Sequence, residues 1–219
     1  MPYIGQQPAP KIITSSDLAD DVVTADKIGD TAISGFSALG ATPADTDEFL
    51  ISDAGTLKRM DYSYIKGGGI TVADQFRVTA AITSNQDPIS SNIERIDTAG
   101  QGGITDNQMS VSSGIFTFPL TGIYLVSGFA TGTTASGGDN ISLNIAATTD
   151  NSSYNTVAVG TDGEAGRSSH VTCSSLIDVT DTSNVKVKFV ANSISSGSQF
   201  NGHTDYSQTC FTFIRLADT

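Results

Sequence analysis

The chain has 219 residues, 38% of them hydrophobic and 16% charged, without a single tryptophan. Eleven basic residues face 23 acidic ones, a formal net charge of −12, and no basic stripe of the kind that grips a nucleic-acid backbone is present. No apolar run reaches the roughly 20 residues needed to cross a bilayer as a helix.

The composition is rich in Gly, Ser, Thr, Asn and Asp, which suits short strands joined by polar turns and is poor material for helices. Met1–Gln6 lacks the basic start and hydrophobic core of a secretory signal, so we expect synthesis and assembly in a cytosol. Residues 1–12 contain Pro2, Pro8 and Pro10 and show no periodicity. Such a segment has too little apolar surface to offset its ordering entropy, and it reads as an extended arm ordered on a partner.

Residues 13–34 carry a ten-residue repeat, with Leu18–Thr24 aligning on Ile28–Ser34. Each unit has an apolar residue, an Asp two positions on and a β-branched residue near its end. One copy buries almost nothing, so the repeat predicts several chains wound about a common axis. A short amphipathic helix from Ser16 or Asp17 is the alternative. Further on, Glu48–Asp53 and Thr56–Asp61 flank Ala54-Gly55, a tight-hairpin signature. Lys58 and Arg59 are expected to pair with Asp53 and Asp61 across it. Asp61–Ile65 continues as a short helix or strand, and Gly67-Gly68-Gly69 marks a joint. The predicted organisation is therefore an arm (1–12), a shaft (13–70) and a head (72–219).

Strand patterns fill the head: 76–82, 93–96, 108–111, 115–118, 123–129, 141–146, 156–159, 170–179, 185–191 and 208–216. In the first, Phe76, Val78, Ala80 and Ile82 share a face. Pro119 and Gly122 force a corner between the fourth and fifth. The fifth is apolar or small on both faces, and the last alternates apolar residues on both, so both read as central strands buried on two sides. Val187 and Phe189 alternate with Lys186 and Lys188, which exposes part of one face. Strands in this rhythm, without a helical stretch, predict an all-β, two-sheet antiparallel sandwich.

Chemistry is sparse. Only His170 and His203 could act as bases near neutral pH, and no nucleophile elbow, zinc helix or phosphate loop occurs. No enzymatic activity and no cofactor are expected. Calcium held by turn aspartates, among Asp139, Asp150, Asp162 and Asp205, is the one metal worth testing. Cys173 and Cys210 lie in apolar strands and read as buried free thiols, with a disulfide or metal pair as the alternative.

The run Gly114-x-Phe116-x-x-Pro119-x-x-Gly122-x-Tyr124, with a Phe-rich last strand, resembles the tumour-necrosis-factor-like jelly roll, which includes the globular heads of complement. That resemblance covers residues 72–219 and implies a jelly-roll head in a threefold trimer. Separately, Met1–Gly5, the ten-residue repeat and Ala44–Arg59 resemble the attachment and shaft regions of tailed-bacteriophage fibres. This likeness implies a homotrimeric virion protein, made in the host cytoplasm and exposed on the particle. Its anchor on a phage tail or capsid protein would be Pro2, Tyr3, Ile4, Pro8 and Pro10. Phe116, Tyr124, Phe211 and Phe213 are the expected trimer contacts, with the core of one subunit as an equal alternative for them. Asn140, Asp139, Asp162, Glu164, Gln199, His203 and Asp205 stand on long polar loops that would meet a host glycan or protein. A secreted, lectin-like carbohydrate-binding module is the runner-up.

Overall fold

The computed structural model describes residues 12, 14–19, 22, 34–65, 69–135, 140–163 and 168–219. The chain divides into two units, Met1–Gly67 and Gly68–Thr219. Most of the ten-residue repeat and all five anchor residues, Pro2, Tyr3, Ile4, Pro8 and Pro10, lie outside the described residues. No helix among those described is long and apolar enough to cross a membrane.

In the first unit a single turn of 3-10 helix spans Ser15–Asp17, its start held by Thr14 N–H donating to Asp17 Oδ2 at 2.9 Å. The predicted hairpin forms as β1 (Glu48–Asp53) and β2 (Thr56–Asp61), paired from Glu48↔Asp61 to Asp53↔Thr56. Ala54 and Gly55 both adopt positive φ, 49° and 84°, as a two-residue turn between twisted strands requires. Lys58 pairs with Asp53 as expected, whereas Arg59 pairs with Glu48 and not with Asp61. Leu50 and Arg59 are opposite each other in register, so Arg59 reaches the neighbouring Glu48 along the strand. Tyr62–Tyr64 closes the unit as a second 3-10 turn.

The second unit is an antiparallel sandwich. Its strands are β3 (Ala73–Val78), β4 (Ile93–Arg95), β5 (Ser110–Ser112), β6 (Ile115–Thr117), β7 (Gly122–Thr133), β8 (Ile141–Thr148), β9 (Asn155–Asp162), β10 (Ser168–Val179), β11 (Lys186–Asn192), β12 (Gln199–Phe200) and β13 (Thr209–Ala217). One sheet runs β10-β7-β13-β3-β4, with β12 adding to the end of β7; the other runs β5-β6-β11-β8-β9. The first strand differs from the expected one: it begins earlier, at Ala73, and ends at Val78, while Ile82 makes only an isolated bridge to Phe200. Thr79 N–H turns to Asn92 and Gly202 crowds Ala80, so the ladder stops there.

The Pro119–Gly122 corner carries the chain from one sheet to the other. Gly122 has φ 142°, and a Cβ there would lie 2.5 Å from the carbonyl oxygen of Ala217, so no side chain fits. Tyr124 locks the corner by donating its hydroxyl to Leu120 O at 2.9 Å, and burial raises its pKa.

Between the sheets, Phe116 packs against Phe76, Phe189, Phe211 and Phe213 with ring centroids 5.0–5.9 Å apart. Phe189 and Phe211 stack at 4.0 Å, and Phe118 meets Tyr124 at 4.6 Å. Aromatic burial of this extent dominates a core's energetics. At its edge, buried Asp74 receives Met109 N–H at 3.0 Å and Arg95 Nε at 3.1 Å, and Arg95 lies 4.8 Å over the Phe76 ring. The carboxylate and guanidinium thus satisfy each other where the sandwich closes.

Candidate functional site

Of the two places open to the four aromatics, subunit contact or subunit core, they take the core. Phe116, Tyr124, Phe211 and Phe213 have no exposed surface in the single chain, so they cannot touch a neighbour. Their alternation points them between the sheets, and the opposite parity of the same strands forms the outer face. That parity also corrects the expectation for β7, whose inward positions are buried throughout while its outward ones are only half-buried.

Strand register arranges the outer face of the β10-β7-β13-β3 sheet in rows. Leu176, Leu125, Ile214 and Ala73 are neighbours across four strands, an apolar row. The next row is hydroxylated: Ser174, Ser127, Thr212 and Gln75, with Gln75 Nε2 donating to Thr212 Oγ1 at 2.6 Å. The third is Thr172, Phe129, Cys210 and Arg77. Arg77 is fully buried although it points outward, because residues 94–101 fold over it. Its guanidinium donates to Glu94 at 2.6 Å, Asp97 at 2.5 Å, and Thr98 and Gln101 at 3.0 Å each.

In the apolar row Leu176 is 63% exposed, whereas Leu125, Ile214 and Ala73 are half-buried; Leu216, two residues past Ile214, is exposed as well. Apart from that row, a concavity of about 580 Å³ lies between the hydroxyl row, its neighbours Phe129, Thr172 and Cys210, and the edge strand β9. Pairing slips between Ile145 and Ala146, leaving a bulge at Val157, and Val157 and Val159 stand exposed on the rim.

The cysteines occupy opposite faces of this sheet. Cys210 pairs with Phe129 on the outer face, while Cys173 pairs with Gly128 and turns inward, and β7 separates their strands. Both are free and buried, and burial raises both thiol pKa values, that of Cys173 to about 11.

The long loops gather elsewhere. β3 begins beside the end of β13, with Ala73 opposite Ile214. The end of β7 and the starts of β10 and β13 lie at the other end of the sheet, so the connections 133–141, 162–168 and 192–209 all emerge far from where the chain enters the sandwich. Asn140 is exposed there; Asp162 accepts Gly163 and His170 N–H at 2.8 Å each, and Gln199 donates to Asn201 at 3.0 Å. His203 is half-buried and Asp205 exposed. Asp139 and Glu164 lie outside the described residues. Asp150 sits at the opposite end, its carboxyl held well below the usual range by Ser153 N–H, the Thr148 hydroxyl and Ser152 N–H. Asp150 therefore stands apart from Asp162 and Asp205. Among the described residues no cluster of His, Cys, Asp or Glu could hold a metal.

Sequence reasoning missed Leu125, Leu176, Ile214 and Tyr206. A signal existed for one of them: Leu176 interrupts an outward series of His170, Thr172, Ser174 and Asp178 that is otherwise polar.

No protein-family model and no curated protein matches the chain. Solved structures do. The tumour necrosis factor Eiger from S. frugiperda is 12% identical with a TM-score of 0.52, covering 69% of this chain and 96% of that one. The globular domain of zebrafish complement 1qA is 13% identical with a TM-score of 0.47, covering 68% and 99%. Murine APRIL is 8% identical with a TM-score of 0.48, covering 66% and 98%. The sandwich has the tumour-necrosis-factor-like jelly-roll fold.

Proposed function

We propose that the chain is the subunit of a homotrimeric appendage of a tailed-bacteriophage virion, anchored through its N-terminal arm and presenting the jelly-roll head to the host surface. The observation that carries this reading is the apolar row Leu176-Leu125-Ile214-Ala73, with Leu176 exposed and the other three half-buried, on a sheet face that elsewhere is either hydroxylated or sealed over Arg77. A contiguous apolar row left only partly covered marks association, and a second copy of the same chain is an occupant that leaves no polar group of the row to satisfy. Three further features agree with it. The N-terminal hairpin buries no side chain of its own, the sequence before it resembles fibre anchors and shafts, and the long loops emerge at the end of the head away from its point of attachment. Weak binding by each head would gain from three linked sites.

The test is the mass of the full chain by sedimentation, beside Leu176→Asp. A trimer that becomes a monomer with an unchanged circular-dichroism spectrum supports the reading. A wild-type monomer removes it. Gold-labelled antibody against the head, imaged on phage particles, then reads whether the appendage decorates tail or capsid.

A further inference from the structure

Within the far-end loops, residues 201–208 build a feature unlike the rest of the surface. Gly202 lies so close to β3 that a Cβ would sit 2.4 Å from Ala80 O. The backbone is pinned there by His203 N–H donating to Val78 O at 2.9 Å and by Thr209 Oγ1 donating to Asn201 O at 2.7 Å. Asp205 N–H donates to His203 Nδ1 at 3.0 Å, which fixes the imidazole plane. Tyr206 stacks on that plane, with ring centroids 3.9 Å apart and an angle of 20°, yet it remains 52% exposed. The result is an aromatic ring held flat and rigid with one face open to solvent. The Asp205 carboxylate stands exposed beside it. At the foot of the loop, two buried hydroxyls, Thr131 Oγ1 and Ser207 Oγ, have no hydrogen-bond partner within the chain. Thr131 adjoins the loop directly, its N–H donating to Gln208 O at 2.8 Å. Both hydroxyls are shut away from solvent beneath the loop, so the open surface here is that of the Tyr206 ring and the Asp205 carboxylate.

We infer that Tyr206, supported by His203 and flanked by Asp205, is a binding platform for a neutral hexopyranose. The inference rests on the reading that these loops face a host surface, and it names what they would hold there. A pyranose ring offers an apolar C–H face and a rim of hydroxyls. The open tyrosine face, with its negative quadrupole, suits the first, and a carboxylate with two acceptor oxygens suits the second. Residues 199–208 include no Lys or Arg, so this loop offers an acidic sugar the Asp205 charge and no cation of its own to offset it. A ring already fixed in place loses little freedom on binding, which favours a shallow site of this type.

Saturation-transfer NMR on the full-length protein tests the platform, using the methyl glycosides of glucose, galactose and mannose, and of glucuronic acid as the anionic probe. Transfer to at least one neutral glycoside is expected, strongest on protons of one ring face. Tyr206→Ala should abolish it, Tyr206→Phe should keep it, and Asp205→Asn should weaken it. The inference is overturned if no neutral glycoside responds, if only the glucuronide does, or if Tyr206→Ala binds as well as wild type. Sedimentation of the same samples separates this result from the assembly: a monomer that binds sugar keeps the platform and removes the appendage, and a trimer blind to all four glycosides does the reverse.

Discussion

The hairpin of residues 48–61 and the sandwich of residues 69–219 are both antiparallel β-structure with alternating apolar residues, yet they stand at opposite extremes of burial. In the sandwich each inward row meets a second sheet, and a ring such as Phe116 touches four other aromatics. In the hairpin Leu50 and Leu57 are 75% and 71% exposed, and Phe49, itself exposed, meets the Tyr62 ring at 6.1 Å, tilted by 37°. A lone two-stranded hairpin is marginal in water, because one layer has nothing to hide its apolar face against. The difference teaches that alternation specifies a strand but not its autonomy. The sandwich supplies its own second layer, and the hairpin calls for one from outside.

The sharpest way to break that comparison is at the centre of the sandwich. Phe116→Ala removes the ring common to the aromatic cluster and should cost about 3–5 kcal/mol. The measurement is urea unfolding of the full chain followed by near-ultraviolet circular dichroism. A loss below about 1 kcal/mol would mean that the cluster closes over the hole or does not hold the sheets together.

A smaller effect tests whether the two thiols, on opposite faces of the central sheet, are both shielded in the single head. The thiolate is the reacting form of cysteine, and burial lifts Cys173 from 9.0 to about 11 and raises Cys210 as well. Neither thiol should react with Ellman's reagent near neutral pH until denaturant is added, when both should. The native state holds these protons more tightly than the unfolded chain. Their contribution to stability is therefore complete below pH 9.0 and is lost as pH rises through about 11. Rapid labelling of Cys210 alone in folded protein would show that the outer face opens while the core stays shut.

Much of the fold was legible because its determinants are local. The Ala54-Gly55 turn, the Pro119–Gly122 corner and the alternation in β11 each act through backbone geometry or period, and each stands where the pattern put it. What failed was the choice of face. In β7, Tyr124 and Val126 on one side are as apolar as Ile123 and Leu125 on the other, so periodicity could not say which set meets the second sheet. For the aromatics the pattern left trimer contact and subunit core equally open, and their size, which suits the wide space between sheets, decides for the core. The end of the first strand was misplaced for a different reason: Gly202 arrives against Ala80 from more than a hundred residues away, and no local pattern carries that contact. The Tyr206–His203 stack was half visible, since His203 and Asp205 were chosen as loop residues, but the tyrosine between a polar loop and β13 gave no period to read.

The smallest expected effect bears most directly on the comparison. Leu50→Ser with Leu57→Ser alters one face of the hairpin, diagonal neighbours set by the Ser52↔Leu57 and Leu50↔Arg59 pairings. Both side chains are exposed in the single chain, so within one chain the double change should shift stability by no more than about 0.5 kcal/mol. If copies of the chain cover that face, amide protection of β1 and β2 in the assembled protein should fall while that of the sandwich is unchanged, read by hydrogen exchange on the same sample. The two regions would then be separable in stability as they are in burial. Loss of protection across β7 and β13 as well would mean that the head depends on the hairpin, and the contrast between a self-sufficient layer pair and a borrowed one would collapse.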